Sequence, residues 1–192
     1  MIRGFQLADF FTIANAFCGM LAIFEAMTFL STRAAWHLFL AAALIPVALA
    51  FDVLDGRIAR GRHGSSALGR ELDSLADVVS FGVAPASIAF AAGANTRLDQ
   101  LVLLYFVGCG VSRLARYNVT AESLAAQTGK VEYFEGTPIP TSIVPLALLM
   151  LAFSRGSLYP IDVLGVEWHA IVLLFLLSGS LMISKTLRIP KP

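Results

Sequence analysis

The chain has 192 residues with a net charge of +1; 57% of its residues are hydrophobic and only 14% charged. Soluble globular proteins carry about 25% charged residues, so this balance, with a mean hydropathy of +0.76, describes an integral membrane protein. No basic block exists to neutralise a run of phosphates, which argues against nucleic acid as a partner.

The length suits one domain covering 1–192, and no internal repeat or low-complexity tract appears. The first nine residues suit a short interfacial helix. Apolar runs then follow at 10–30, 36–60, 69–92, 98–119, 138–155 and 167–187. Each approaches the about 20 residues that a spanning helix needs. The expected fold class is all-α, a polytopic membrane bundle of about six transmembrane helices. The first run is long enough to stay in the bilayer and Arg3 is the one early basic residue, so no cleavable signal peptide is expected. Cys18 and Cys109 lie inside apolar runs and read as small core residues, not as a disulfide or metal pair.

Cations set the orientation. Arg3, Arg57, Arg60, Arg62, Arg70, Arg113, Arg116, Lys130, Lys185, Arg188 and Lys191 fall on one side of the six runs, against Arg33, Arg97 and Arg155 on the other. The positive-inside rule assigns the richer side, with both termini, to the cytoplasm. The expected location is the cell (cytoplasmic) membrane. The polar connection 120–137 belongs to the same side.

On that side the second and third runs form a helical hairpin, DVLDGRIARGRHGSSALGRELDSLAD, residues 52–77. It concentrates four aspartates. Counting along straight helices, Asp52 lies roughly 12 Å inside the end of its helix and Asp55 roughly 7 Å, with Asp73 roughly 6 Å and Asp77 roughly 12 Å inside the other. Antiparallel helices thus present two carboxylates at each of two matching depths. Asp52 and Asp55 share a face, as do Asp73 and Asp77.

A central Asp in a spanning helix costs about 2.5–3.5 kcal/mol, and four facing one another also repel. Bound cations, protonation or a flooded cleft must offset this. Carboxylate-only ligation suits hard cations, Mg²⁺ or Mn²⁺, or Ca²⁺ in a wider cleft. Two ions about 3.5–4 Å apart would make a clamp suited to phosphoryl chemistry. Gly56 and Gly69 remove side chains where a phosphate or nucleotide would approach, Ala59 keeps the adjacent turn open, and Arg60 offers bidentate donors to phosphate. The competing reading makes the arginines topology anchors and the glycines packing or turn residues. It gives no reason for carboxylate pairs at depth.

The hairpin resembles the CDP-alcohol phosphotransferase family, whose signature is D-x2-D-G-x2-A-R-x8 or 9-G-x3-D-x3-D. Asp52, Asp55, Gly56, Ala59, Arg60, Gly69, Asp73 and Asp77 match every defined position, and the six-run layout extends the likeness over most of the chain. The resemblance implies attack by an acceptor hydroxyl on the phosphate of a CDP-linked lipid, with release of CMP. It also implies two divalent cations, one held by Asp52, Asp55 and Asp73 and the other by Asp52, Asp73 and Asp77, with Asp77 as general base. Gly56, Ala59, Arg60 and Gly69 would line the cytidine and phosphate site, and a homodimer is expected.

The signature does not name the acceptor. SRLARYN (112–118), YFEGTPIPT (133–141) and TIANAFCGMLAIF (12–24) resemble segments of the serine-using members of the family. The expected substrates are therefore CDP-diacylglycerol and L-serine, alongside membrane lipids. Arg113 or Arg116, on one helix face, would clamp the serine carboxylate, and Glu135 its ammonium. The alternatives give one arginine to the lipid phosphate, or make both snorkelling anchors and Glu135 a solvated charge. Asn15 either bonds a neighbouring helix or reaches the nucleotide. Pro138 and Pro140 shape the start of the fifth span. His37, Trp168 and His169 sit at outer helix ends, and His63 in the hairpin loop. Rival readings are another acceptor (glycerol 3-phosphate or an inositol phosphate), an archaeal ether lipid, and a cation transporter. The last predicts acidic residues near mid-membrane in repeated halves, and here they cluster in one hairpin.

Overall fold

The computed structural model describes residues 6–61, 67–127, 133–163, 165–184, 186 and 188–190; for 59–61, 67, 120–127, 133–135, 163 and 188–190 it describes the backbone alone. Arg3, Arg62, His63, Lys130, Lys185 and Lys191 lie outside the described residues.

Helix α1 (Leu7–Thr32) begins where the Gln6 N–H donates to Asp9 Oδ2 at 2.7 Å, satisfying a backbone group that a helix start leaves unpaired. Leu7, Ala8 and Asp9 are thus the first turn of the first span, not a separate interfacial helix. At the other end the Arg33 backbone turns left-handed (φ 57°) and its N–H bonds Phe29 O at 2.8 Å. Helix α2 (Ala35–Gly61) follows at once, with Pro46 inside it.

The third span is interrupted. Helix α3 (Ala67–Asp77) passes directly into a π-helical stretch, Val78–Val83, and then into α4 (Ala84–Ala92). Pro85 has no N–H to donate, so the i→i−4 ladder is already broken where the wider turn ends. Helix α5 (Arg97–Gln127) runs on through part of the expected polar connection, because ESLAAQ is built from good helix formers.

Strand β1 (Tyr133–Glu135) leads through a 3₁₀ turn, Ile139–Ser142, into α6 (Ile143–Ser154). A hairpin of β2 (Ile161–Val163) and β3 (Val166–Trp168) then precedes α7 (Val172–Ile183). Gly165 turns it at φ 80°, donating its N–H to Asp162 Oδ1 at 2.8 Å. The last strand, β4 (Arg188–Pro190), pairs antiparallel with β1, Glu135 opposite Arg188.

The protein is a polytopic helical membrane bundle. Four stretches, Leu7–Thr32, Ala35–Ile58, Leu68–Ala92 and Arg97–Val119, are long and apolar enough to cross a bilayer. Ile139–Ser154 and Val172–Ile183 are shorter apolar helices, so the sixth span begins later than expected at 167 and ends before 187. Val166 and Trp168 are strand formers placed after a glycine turn, and they pair with β2 instead of extending α7.

Apolar tails drive no helix association in lipid, so close approach of small residues carries much of it. Ala22, Ala26, Ala41 and Ala48 are buried where α1 packs along α2, while Phe17, Leu101 and Leu104 face outward. Ile139 wedges its Cδ1 between Gly82 and Gly110, tying the π stretch to α5. Far from the hairpin, Asp99 is fully buried: its Oδ1 accepts the His169 N–H at 2.9 Å, and Oδ2 meets His169 Nδ1 at 2.7 Å and the Thr96 N–H at 3.0 Å. His169 is therefore a buried clasp between α5 and the start of α7, not an interfacial side chain. His37 Nδ1 lies 2.6 Å from Glu25 Oε2 at the outer ends of α2 and α1.

Candidate active site

Helices α2 and α3 make at most marginal backbone contact with each other; α1 packs against both. The two arms are thus braced by a shared neighbour more than by each other, and their carboxylates meet between them. Asp52, Asp55 and Asp73 each offer an oxygen, and the three atoms lie within 4.8 Å of one another. At that separation two charged carboxylates repel unless a proton or a cation lies between them. Asp73 Oδ1 is buried and has no hydrogen-bond partner.

Asp77 is not part of that cluster. Its Oδ1 accepts from Asn15 Nδ2 at 3.2 Å, and it lies close enough to Asp52 and Asp73 to feel their charge. The straight-helix count pairs Asp52 with Asp77 by depth. In the structure Asp73 joins Asp52 and Asp55, and Asp77, on the last turn before the π stretch and still near Asp52, is turned towards α1.

Helix α1 supplies a polar partner to each arm. Thr12 Oγ1 donates to Asp55 Oδ2 at 2.7 Å, three residues before Asn15 reaches Asp77. Asn15 is fully buried; its backbone carbonyl accepts from Ser80 Oγ at 2.8 Å, and its Oδ1 has no partner. A Cβ on Gly19 would fall 2.7 Å from Ser80 Cα, so the glycine allows the π stretch to lie against α1. Sequence reasoning missed Thr12 and Ser80. The available signal was two polar residues, Thr12 and Asn15, one helical turn apart in an otherwise apolar run.

Gly56 stands beside open space: a Cβ there would meet nothing within 4 Å. It serves no helix packing, and a ligand has room to approach the backbone. Gly69 is half-buried near the start of α3. Ala59 and Arg60 lie in the last turns of α2 and Glu135 in β1, and the side chains of all three are outside the described residues.

The two arginines of SRLARYN diverge. Arg113 is buried, 5.7 Å from the Tyr117 ring, within the electrostatic reach of Asp77. Arg116 turns to α7, donating from Nη1 to Ile183 O at 3.4 Å. Asn118 Nδ2 donates to Ser74 Oγ at 3.0 Å and joins α5 to α3.

This donor set fits a hard divalent cation: oxygen ligands only, three carboxylates converging, one buried oxygen unsatisfied. Fold and site define a multi-pass membrane protein with an acidic cluster suited to cations near one end of its spans. A family model for CDP-alcohol phosphatidyltransferases matches residues 5–180. The CDP-diacylglycerol–serine O-phosphatidyltransferase of Saccharomyces cerevisiae is 43% identical over 100% of this chain and 73% of its own length. A Helicobacter pylori protein of the same name is 39% identical over 74% of the chain and 56% of its own length. The archaetidylserine synthase of Methanothermobacter thermautotrophicus is 38% identical over 76% and 58%. The chain belongs to the CDP-alcohol phosphatidyltransferase family.

Proposed function

We propose that the chain transfers the phosphatidyl group of CDP-diacylglycerol to the hydroxyl of L-serine, giving phosphatidylserine and CMP. One observation carries the reading: the complete eight-residue signature, with Asp52, Asp55 and Asp73 converging within 4.8 Å. Serine stands in the names of the yeast, bacterial and archaeal relatives alike, whereas the lipid in those names differs.

Asp52, Asp55, Asp73 and Asp77 would hold two divalent cations, Mg²⁺ or Mn²⁺, which when bound supply charge neutralisation at the phosphoryl oxygens and the departing CMP. Asp77 takes the proton of the serine hydroxyl as its oxygen bonds to phosphorus and the bond from phosphorus to the CMP oxygen breaks. Asn15 fixes one oxygen of Asp77 for that transfer. Gly56, Ala59, Arg60 and Gly69 receive the cytidine and phosphates. Arg113, beside Asp77, clamps the serine carboxylate, with Glu135 on the ammonium. Arg116 is engaged with the Ile183 carbonyl while Arg113 is within electrostatic reach of Asp77, and this division favours serine over an acceptor carrying its own phosphate. The site faces the cytoplasm, in the cytoplasmic membrane, and the enzyme acts as a homodimer.

Purified protein with CDP-diacylglycerol and Mn²⁺ or Mg²⁺ should release CMP on addition of serine, not of glycerol 3-phosphate, and EDTA should stop the release. The reverse acceptor preference would overturn serine and leave the reaction class standing. No CMP release with either acceptor would overturn the class.

A further inference from the structure

Arg116 points away from the carboxylates into a cavity of about 530 Å³ between α5 and α7, lined by Tyr105, Gly108, Cys109, Ser112, Arg116 and Ile183. None of these residues belongs to the aspartate hairpin. Arg116 Nη2 is buried without a hydrogen-bond partner, and an unpaired guanidinium N–H in an apolar setting is costly enough to call for an acceptor. Arg116 lies about 5 Å inside the end of its span, at the level of lipid headgroups, and Tyr105 about 16 Å deeper.

The cavity is graded along this depth. Ser112 and Arg116 line its shallow end, Gly108 and Cys109 its middle, and Tyr105, Gly108 and Ser112 are exposed. At Gly108 it meets a second, larger cavity of about 800 Å³ whose walls include Ile23, Leu30, Phe90 and Leu103. A Cβ at Gly108, the residue common to both walls, would meet nothing within 4 Å.

We propose that this cavity binds a phosphate-bearing glycerolipid of the surrounding membrane, with Arg116 holding the phosphate and the chains descending past Gly108. The polar end at headgroup depth matches an anionic phosphodiester, and the apolar walls that adjoin it at Gly108 match hydrocarbon. A soluble anion would use the first feature and leave the second unfilled. The site stands whether or not the aspartates carry out the proposed transfer.

Native mass spectrometry of the full-length protein, with phosphatidylglycerol, diacylglycerol or inorganic phosphate added to the micelle, tests it. Phosphatidylglycerol should bind the wild type, and Arg116→Gln should weaken that binding about tenfold, as expected for loss of a charge-assisted hydrogen bond. Arg116→Lys should restore most of it, and Arg113→Gln should leave it unchanged. Gly108→Leu, whose Cβ has room, should weaken binding by obstructing the chain path. Equal binding by wild type and Arg116→Gln would overturn the proposal. So would equal binding of diacylglycerol, displacement of the lipid by inorganic phosphate at similar concentration, or a loss with Arg113→Gln matching that of Arg116→Gln.

Discussion

Asn15 shows how much a single amide can control. It is fully buried, and its side chain spends a donor on Asp77 while its backbone anchors Ser80. A hydrogen bond to a charged group contributes about 1.5–3 kcal/mol. Asn15→Ala is therefore expected to lower kcat by about 10–100-fold, with little change in the KM for CDP-diacylglycerol; steady-state kinetics in mixed micelles would show the split. Asp77→Asn removes the proposed base while keeping the shape and the Asn15 contact. Its turnover should fall by about 100-fold or more with the thermal midpoint unchanged, and full activity in that variant would remove Asp77 from the chemistry. Thr12→Val keeps the volume and deletes the donor to Asp55. It should raise the Mn²⁺ concentration needed for half-maximal CMP release by several-fold, because Asp55 loses the bond that orients it.

At the scale of elements, two glycines make opposite predictions. Gly19 lies against Ser80, and a methyl group would collide with the backbone of the π stretch. Gly19→Ala should lower the thermal midpoint and, by displacing the turn that follows Asp77, reduce activity as well. Gly56 has open space beside it. Gly56→Ala should leave stability unchanged or raise it by about 0.5–1 kcal/mol, while raising the KM for the CDP-linked lipid. Thermal unfolding beside kinetics separates the two cases. The wider turn after Asp77 depends on Pro85 and on the fit of Gly19 against Ser80, neither of which shows in local periodicity.

Across the whole molecule, function and anchorage separate to opposite ends. The aspartate cluster is built where α1, α2 and α3 meet, and the buried Asp99–His169 pair closes the other end of α5 onto α7. Leaving a buried hydrogen-bonding group without its partner typically costs about 1–3 kcal/mol, and Asp99 serves the His169 N–H, His169 Nδ1 and the Thr96 N–H. Asp99→Ala should therefore unfold at markedly lower temperature, and the fraction that remains folded should keep the wild-type KM for both substrates. A shift in KM would mean that the two ends are coupled.

The sequence by itself was enough to establish the polytopic helical membrane class and the family, because hydropathy and a fixed-spacing signature are local properties of the chain. The shortened sixth helix and its preceding hairpin were misread, since Val166 and Trp168 suit a strand or a buried helix equally until a pairing partner is known. Only the tertiary structure decided which oxygens converge, that Thr12 and Asn15 serve opposite arms of the hairpin, and that Arg113 and Arg116 part company. Those facts depend on α1 packing against both α2 and α3 and on α7 packing beside α5. They are contacts between residues far apart in the chain, set by how whole helices seat against one another, and no spacing within one segment encodes them.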